Sequence, residues 1–237
     1  MNRQSLDNDQ SFHRITPSEV RAFNNYLPSI EKALKLAKKH FIGKIKIYVY
    51  VVNNRDVCSL PVFFRNRHFM HLCGVKYVRG ANAFARDVKD QRLRLQDLYI
   101  KEDGSTFQKL EVVDKIDLLD TLNTKVSIGS NGIKLHFDNL VRTKADVIGM
   151  AVKNDKSGEN FPLSLLSLPA TALRRTTSFN VVAILDENPD THKRRCAQIE
   201  ENCTKKIKEK INSLLSVPKK EEPRKKFQAD KWTQKSP

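Results

Sequence analysis

Glycine is scarce in this chain, with 8 in 237 residues. Loops that cradle nucleotide phosphates are built on glycine. Neither a G-x-G-x-x-G nor a Walker loop occurs, and the G-x-S-x-G elbow of a hydrolase is missing as well. Cysteine is rarer still, with four residues. Cys58, Cys73, Cys196 and Cys203 form no C-x-x-C pair and are expected to be free thiols in a reducing compartment. His68, His71 and Cys73 lie close enough in sequence to suggest half of a zinc site. A structural site takes four ligands, usually in two close pairs, and Cys196 with Cys203 is spaced too widely to supply the second pair. No metal and no cofactor is therefore expected. No apolar run approaches the length of a membrane span, and the first ten residues lack the apolar block of a signal peptide. A cytoplasmic protein with no membrane partner is expected.

What the chain has in excess is positive charge. Its 43 Lys and Arg against 27 Asp and Glu give a formal net charge of +16. The excess is not confined to the C-terminal end. Residues 186–237 hold 14 of the bases and 9 of the acids, so 29 bases and 18 acids remain in the body. A basic body favours a polyanionic partner, RNA or another nucleic acid first.

The hydrophobic pattern predicts an α+β fold: N-terminal helices, a mainly antiparallel sheet with inserted helices, and a C-terminal helix. Residues 1–15 show no periodicity and are expected to be a flexible lead-in. Thr16-Pro17-Ser18-Glu19 is a helix start with a capping box. A second helix follows Pro28, with Ile30, Leu34, Ala37 and Phe41 on one face. Ile45 to Val52 alternates and returns through Val57 to Phe64, which predicts a hairpin. Pro61 marks the return strand as an edge or a bulge. Phe107 to Thr124 is expected as one helix, with the stripe Leu110, Val113, Ile116, Leu119 and Leu122 in the core. Lys125–Ile128 and Ile133–Phe137 are expected as a second hairpin. Val147–Val152, Phe161–Leu168 and Phe179–Leu185 are expected as further strands. One α+β domain over residues 16–217 would then close with a helix over 190–216, leaving a disordered basic tail at 218–237.

The densest cluster of chemistry runs from Arg65 to Tyr77, directly off the end of the hairpin. It holds His68 and His71 among arginines, Phe69, Met70 and Lys76. Histidine trades protons near neutrality. A buried helix start with a hydrogen-bonded histidine is the structural alternative.

Several segments in order carry a resemblance. Tyr48-Val49-Tyr50 and Val62-Phe63-Phe64 lead into Phe69-Met70-His71-Leu72-Cys73-Gly74-Val75. Phe107-Gln108-Lys109-Leu110 and Phe161-Pro162-Leu163-Ser164 follow. This series resembles the phage-associated BECR nuclease domains, the barnase–EndoU–colicin E5/D–RelE-like group, and within it the fourth phage subfamily. Its patterns are F-x-H-L-x-G-L, F-x-K-L and P-x-S, and Cys73 and Val75 differ from the commoner residues of the first. The resemblance implies a metal-independent ribonuclease of phage or mobile-element type, working in the host cytoplasm as a toxin or in phage–host conflict. It implies His71 as general base or acid, Ser164 as a hydrogen-bond donor to a phosphate oxygen, and Lys109 beside them. Lys109, Lys153, Arg174 and Arg175 are candidate phosphate clamps, Lys153 and Arg175 on charge and strand position alone. A host or antitoxin protein is a possible further partner. The competing class is a non-catalytic module of the same fold that grips nucleic acid or a host protein. A third class is an interaction protein that recruits a partner through its C-terminal helix.

Overall fold

The computed structural model describes residues 11–53, 56–128, 136–145, 147–168 and 176–216. Helix α1 (Pro17–Asn24) starts at the expected capping box. The Thr16 hydroxyl accepts the Glu19 N–H at 3.4 Å, and the Glu19 carboxylate accepts the Thr16 N–H at 2.9 Å. Helix α2 (Leu27–His40) buries Ile30, Ala33, Leu34 and Ala37. Strands β2 (Lys44–Val52) and β3 (Asp56–Phe64) form the expected antiparallel hairpin, in register from Lys44↔Phe64 to Val52↔Asp56. Pro61, with no N–H to give a ladder, lies on β3, an end strand.

Beyond the hairpin come α3 (Asn66–Leu72), β4 (Val75–Tyr77), α4 (Ala81–Lys89), β5 (Leu98–Lys101) and α5 (Ser105–Leu110). A 3₁₀ segment (Val113–Asp120) leads to β6 (Thr124–Ile128), β7 (Asn139–Thr143), β8 (Ile148–Asn154) and β9 (Asn160–Ser167). The chain then forms β10 (Ser178–Glu187), β11 (Arg194–Ile199) and α6 (Lys205–Leu215). A short N-terminal strand, β1 (Phe12–Arg14), joins β5 and β4 in a small sheet of order β1-β5-β4. The large sheet runs β3-β2-β10-β6-β7-β8-β9, with β11 beside β10. The pairings are antiparallel in both, so the α+β class holds. The large sheet curls until its two end strands, β3 and β9, pack against each other.

Strand β2 shows why the sheet is covered on both faces. Tyr48 and Tyr50 point into the main core with α1, α2 and α4, while Ile47 and Val49 point into a second core closed by Ile211 of α6. On the Tyr48 face Lys46 is 1% exposed and donates to Asp120 and Asp186, each at 2.6 Å. Burial alone would raise the Asp186 carboxyl. Hydrogen bonds from Lys46 and Arg195, with Lys44 nearby, outweigh it and hold the group below its ordinary value.

Four elements differ from the pattern-based expectation. Residues 107–124 do not form one helix; α5 ends at Leu110 and the 3₁₀ segment follows. The stripe Leu110, Val113, Ile116, Leu119 has a spacing of three, which is the 3₁₀ period, and all four side chains are buried. The C-terminal helix does not span 190–216. Arg194–Ile199 is a strand, and the helix is confined to Lys205–Leu215. The strand β11 is set by charge rather than by alternation. Its register pairs Arg195 with Asp186 and Arg194 with Glu187, and both pairs form ion pairs across the ladder. The lead-in is not wholly without structure, because Phe12–Arg14 is a strand. The partner of β6 is Asn139–Thr143; the expected return strand at 133–137 falls largely outside the described residues, as does the tail at 218–237.

Candidate active site

A cavity of about 560 Å³ opens at the seam where the curled sheet meets itself. Its walls come from β3 (Phe63), α3 and its cap (Arg65, Arg67, His68, His71), Gly74 with Val75 and Lys76 of β4, Lys101 of β5 and Lys109 of α5. The β8–β9 turn adds Asp155 and Glu159, β9 adds Phe161 to Ser164, and β1 adds Phe12. Among the described residues, five Lys or Arg side chains face two carboxylates.

Helix α3 follows β3 after a single residue, Arg65, in extended conformation. The Arg65 N–H donates to Nδ1 of His68 at 3.1 Å, so His68 caps its own helix. The ring stacks on Phe161 with centroids 6.0 Å apart. Burial, then the charges of Arg67, His71 and Arg65, lower the pKa of His68 to about 4. A ring that must accept a hydrogen bond at Nδ1 and sits among cations stays neutral. His68 is therefore the structural histidine of the pair.

One turn on, His71 is the accessible one. The residue is exposed, and its ring lies in the pocket wall. Partial desolvation, then Lys76, Arg67 and Lys109, lower its pKa below the ordinary value. At neutral pH the imidazole is thus held in the form that accepts a proton.

Lys109 reaches the pocket over Gly74. A Cβ on Gly74 would stand 2.8 Å from Lys109 Cδ and 3.3 Å from its Nζ, and Gly74 has φ +71°. Only glycine adopts that backbone freely and leaves the lysine its path. Thr106 fixes the crossing by donating to the Gly74 carbonyl at 2.6 Å and accepting the Lys101 N–H at 2.9 Å. Desolvation and then Lys101 lower the Lys109 pKa, with Asp103 and Cys73 opposing.

Pro162, Leu163 and Ser164 all line the cavity, which a regular strand with alternating side chains would not permit. The register shifts here: Ala151 pairs with Ser164 and Val152 with Pro162, leaving Leu163 as the extra residue of a β-bulge. Ser164 is 5% exposed, and its hydroxyl donates to the Leu165 carbonyl at 3.1 Å. To serve a ligand it must exchange that bond. Across the mouth, Arg65 pairs with Glu159 at 3.1 Å and lies 4.5 Å over the Phe63 ring.

The structure thus brings His71, Lys109 and Ser164 into one pocket. Lys153 does not join them; it is exposed on β8. Arg174 and Arg175 lie outside the described residues. Phe12 and Lys101 also line the cavity, and no motif surrounds either in the sequence. Arg65, Arg67 and Lys76, which join them there, fall inside the histidine segment. Among the described residues no group of three or more His, Cys, Asp and Glu comes together in a way that could hold a metal ion.

Compared with known families, residues 29–194, well over half of the chain, match the model described as phage-Barnase-EndoU-ColicinE5/D-RelE like nuclease4. Comparisons with curated proteins and with solved structures give no match.

Proposed function

Because the chain belongs to this phage BECR-type nuclease family, we propose that it cleaves RNA at the pocket around His71 without a metal, by transfer of the phosphoryl group to the neighbouring ribose hydroxyl. His71 takes the proton from the 2′-OH. The 2′ oxygen forms a bond to phosphorus, the bond from phosphorus to the 5′ oxygen breaks, and that oxygen takes a proton from the Lys109 ammonium. The products are a 2′,3′-cyclic phosphate and a free 5′-OH. Lys109 and Arg67 stabilise the extra negative charge of the crowded phosphorus, and Ser164 donates to one of its free oxygens. Lys153, Arg174 and Arg175 hold more distant parts of the chain. The setting we assign is conflict between a phage or mobile element and its host, with an antitoxin or host protein as a second partner.

One observation carries this reading. An accessible imidazole, kept neutral by partial desolvation and then by the cations around it, opens into a pocket that those same cations line. The test is incubation with single-stranded RNA in EDTA and analysis of the ends. Wild type should leave 2′,3′-cyclic phosphates, and His71→Ala should lower the rate by about 10²- to 10⁴-fold with an unchanged circular dichroism spectrum. Undiminished cleavage by His71→Ala, or ends of another kind, would overturn it.

A further inference from the structure

The family match begins at residue 29, yet the pocket has a wall residue far upstream of it. Phe12 belongs to β1, a strand of only three residues that is nevertheless firmly tied. It pairs with β5, Phe12 opposite Lys101 and Arg14 opposite Tyr99. The Ile15 N–H donates to the Leu98 carbonyl at 3.1 Å, the Glu102 N–H to the Ser11 carbonyl at 3.2 Å, and Arg14 Nε to the Gln96 carbonyl at 3.0 Å. His13 Nε2 lies 2.9 Å from Glu19 and so links the strand to α1.

Register decides what Phe12 faces. Lys76 is opposite Tyr99 on β5, and Lys101 lies two residues beyond Tyr99. Lys76, Lys101 and Phe12 therefore share one face of the small sheet, the face that borders the cavity. The ammonium of Lys76 is 4.2 Å from the Phe12 ring centroid and that of Lys101 is 4.1 Å from it. Two like charges are gathered on one ring. The negative face of the ring attracts each, which offsets part of their mutual repulsion. An anion between them would remove the rest.

The charge of the pocket indicates how much anion it takes. Among the described residues its five Lys and Arg outnumber its two carboxylates by three. A single phosphodiester carries one negative charge, so one phosphate leaves the pocket strongly positive. A stretch of polynucleotide with a second phosphate fits better.

We propose that Phe12 is a positioning residue that holds Lys76 and Lys101 as a clamp for a second phosphate of the bound strand, next to the one that reacts. This rests on the reading of the pocket as a polynucleotide site. The N-terminal strand thereby completes a subsite that the family-matched residues alone would leave open.

The test separates the clamp from the chemistry. Binding is measured by titration with 2′-deoxy oligonucleotides, which lack the attacking hydroxyl, carrying one or two phosphates. Wild type should prefer the two-phosphate ligand by about tenfold or more, the worth of a charge-assisted contact. Phe12→Ala should bring that ratio close to one, and so should Phe12→Leu, which keeps apolar bulk but has no ring face. Phe12→Trp should keep the preference. An equal ratio in wild type and Phe12→Ala, or rescue by leucine as complete as by tryptophan, overturns the clamp. Absence of RNA cleavage with the binding preference intact would instead count against the nuclease reading alone.

Discussion

Gly74 sets the tightest steric condition in the pocket, and its neighbour in space, Lys109, makes the consequence chemical. In Gly74→Ala the left-handed backbone costs about 1–2 kcal/mol, seen as a lower melting temperature. The new Cβ must also displace the Lys109 side chain, now 2.8 Å away. Loss of kcat/KM on RNA should then exceed the loss of stability, at least about tenfold, because small misplacements of a reacting group are costly. His68 makes a prediction of the opposite kind, about stability and not rate. Its folded pKa of about 4 lies below the ordinary 6.5. The unfolded chain therefore binds the proton first, and stability falls as pH drops from about 6.5 toward 4, by on the order of 3 kcal/mol in all. Above that window the stability is fully present. His71, shifted in the same direction, adds to the slope. Chemical denaturation at pH 7 and pH 4.5 should show wild type losing more stability than His68→Gln, whose amide oxygen can still accept the Arg65 N–H.

At the scale of elements, the bulge in β9 is what turns a strand into a pocket wall. Deleting Leu163 would restore regular pairing with β8. Pro162 and Ser164 would then be sequence neighbours on opposite faces, and both could no longer line the cavity. Cleavage should drop by about a hundredfold or more, while circular dichroism keeps its β signal. The same scale shows where sequence patterns carry information. The hairpin β2–β3 was legible because alternation and a turn agree, and His71, Lys109 and Ser164 because short motifs preserve them in order. A helix over 107–124 does not form because its apolar stripe is spaced by three throughout, which fits the 3₁₀ turn and only resembles the i, i+3, i+4 stripe of an α-helix. Strand β11 was invisible to hydrophobic periodicity, since its partners are the carboxylates of Asp186 and Glu187. Phe12 and Lys101 meet only through the β1–β5 register, and nothing local announces a pairing across 89 positions.

For the whole molecule, the question is whether the charge of +16 acts as a diffuse field or through the pocket. A diffuse field speeds encounter with any polyanion and is screened beyond about 8–10 Å at physiological salt. A pocket that neutralises particular phosphates instead releases a countable number of ions, giving log affinity a linear fall with log salt of about 0.7 per phosphate on a single strand. The two accounts separate under substitution. Lys76→Gln, in the pocket, should flatten the salt dependence of RNA binding by about 0.7. Lys208→Gln on α6, which packs through Ile211 against the opposite core, removes the same charge from the body and should leave the slope unchanged. Equal flattening by both would mean that the body grips RNA over its whole surface, with the cavity only one patch of it. Flattening by Lys76→Gln alone ties recognition to the seam where β3 meets β9, so that the curl of the sheet, by gathering the pocket's cations around His71, decides where the strand lies.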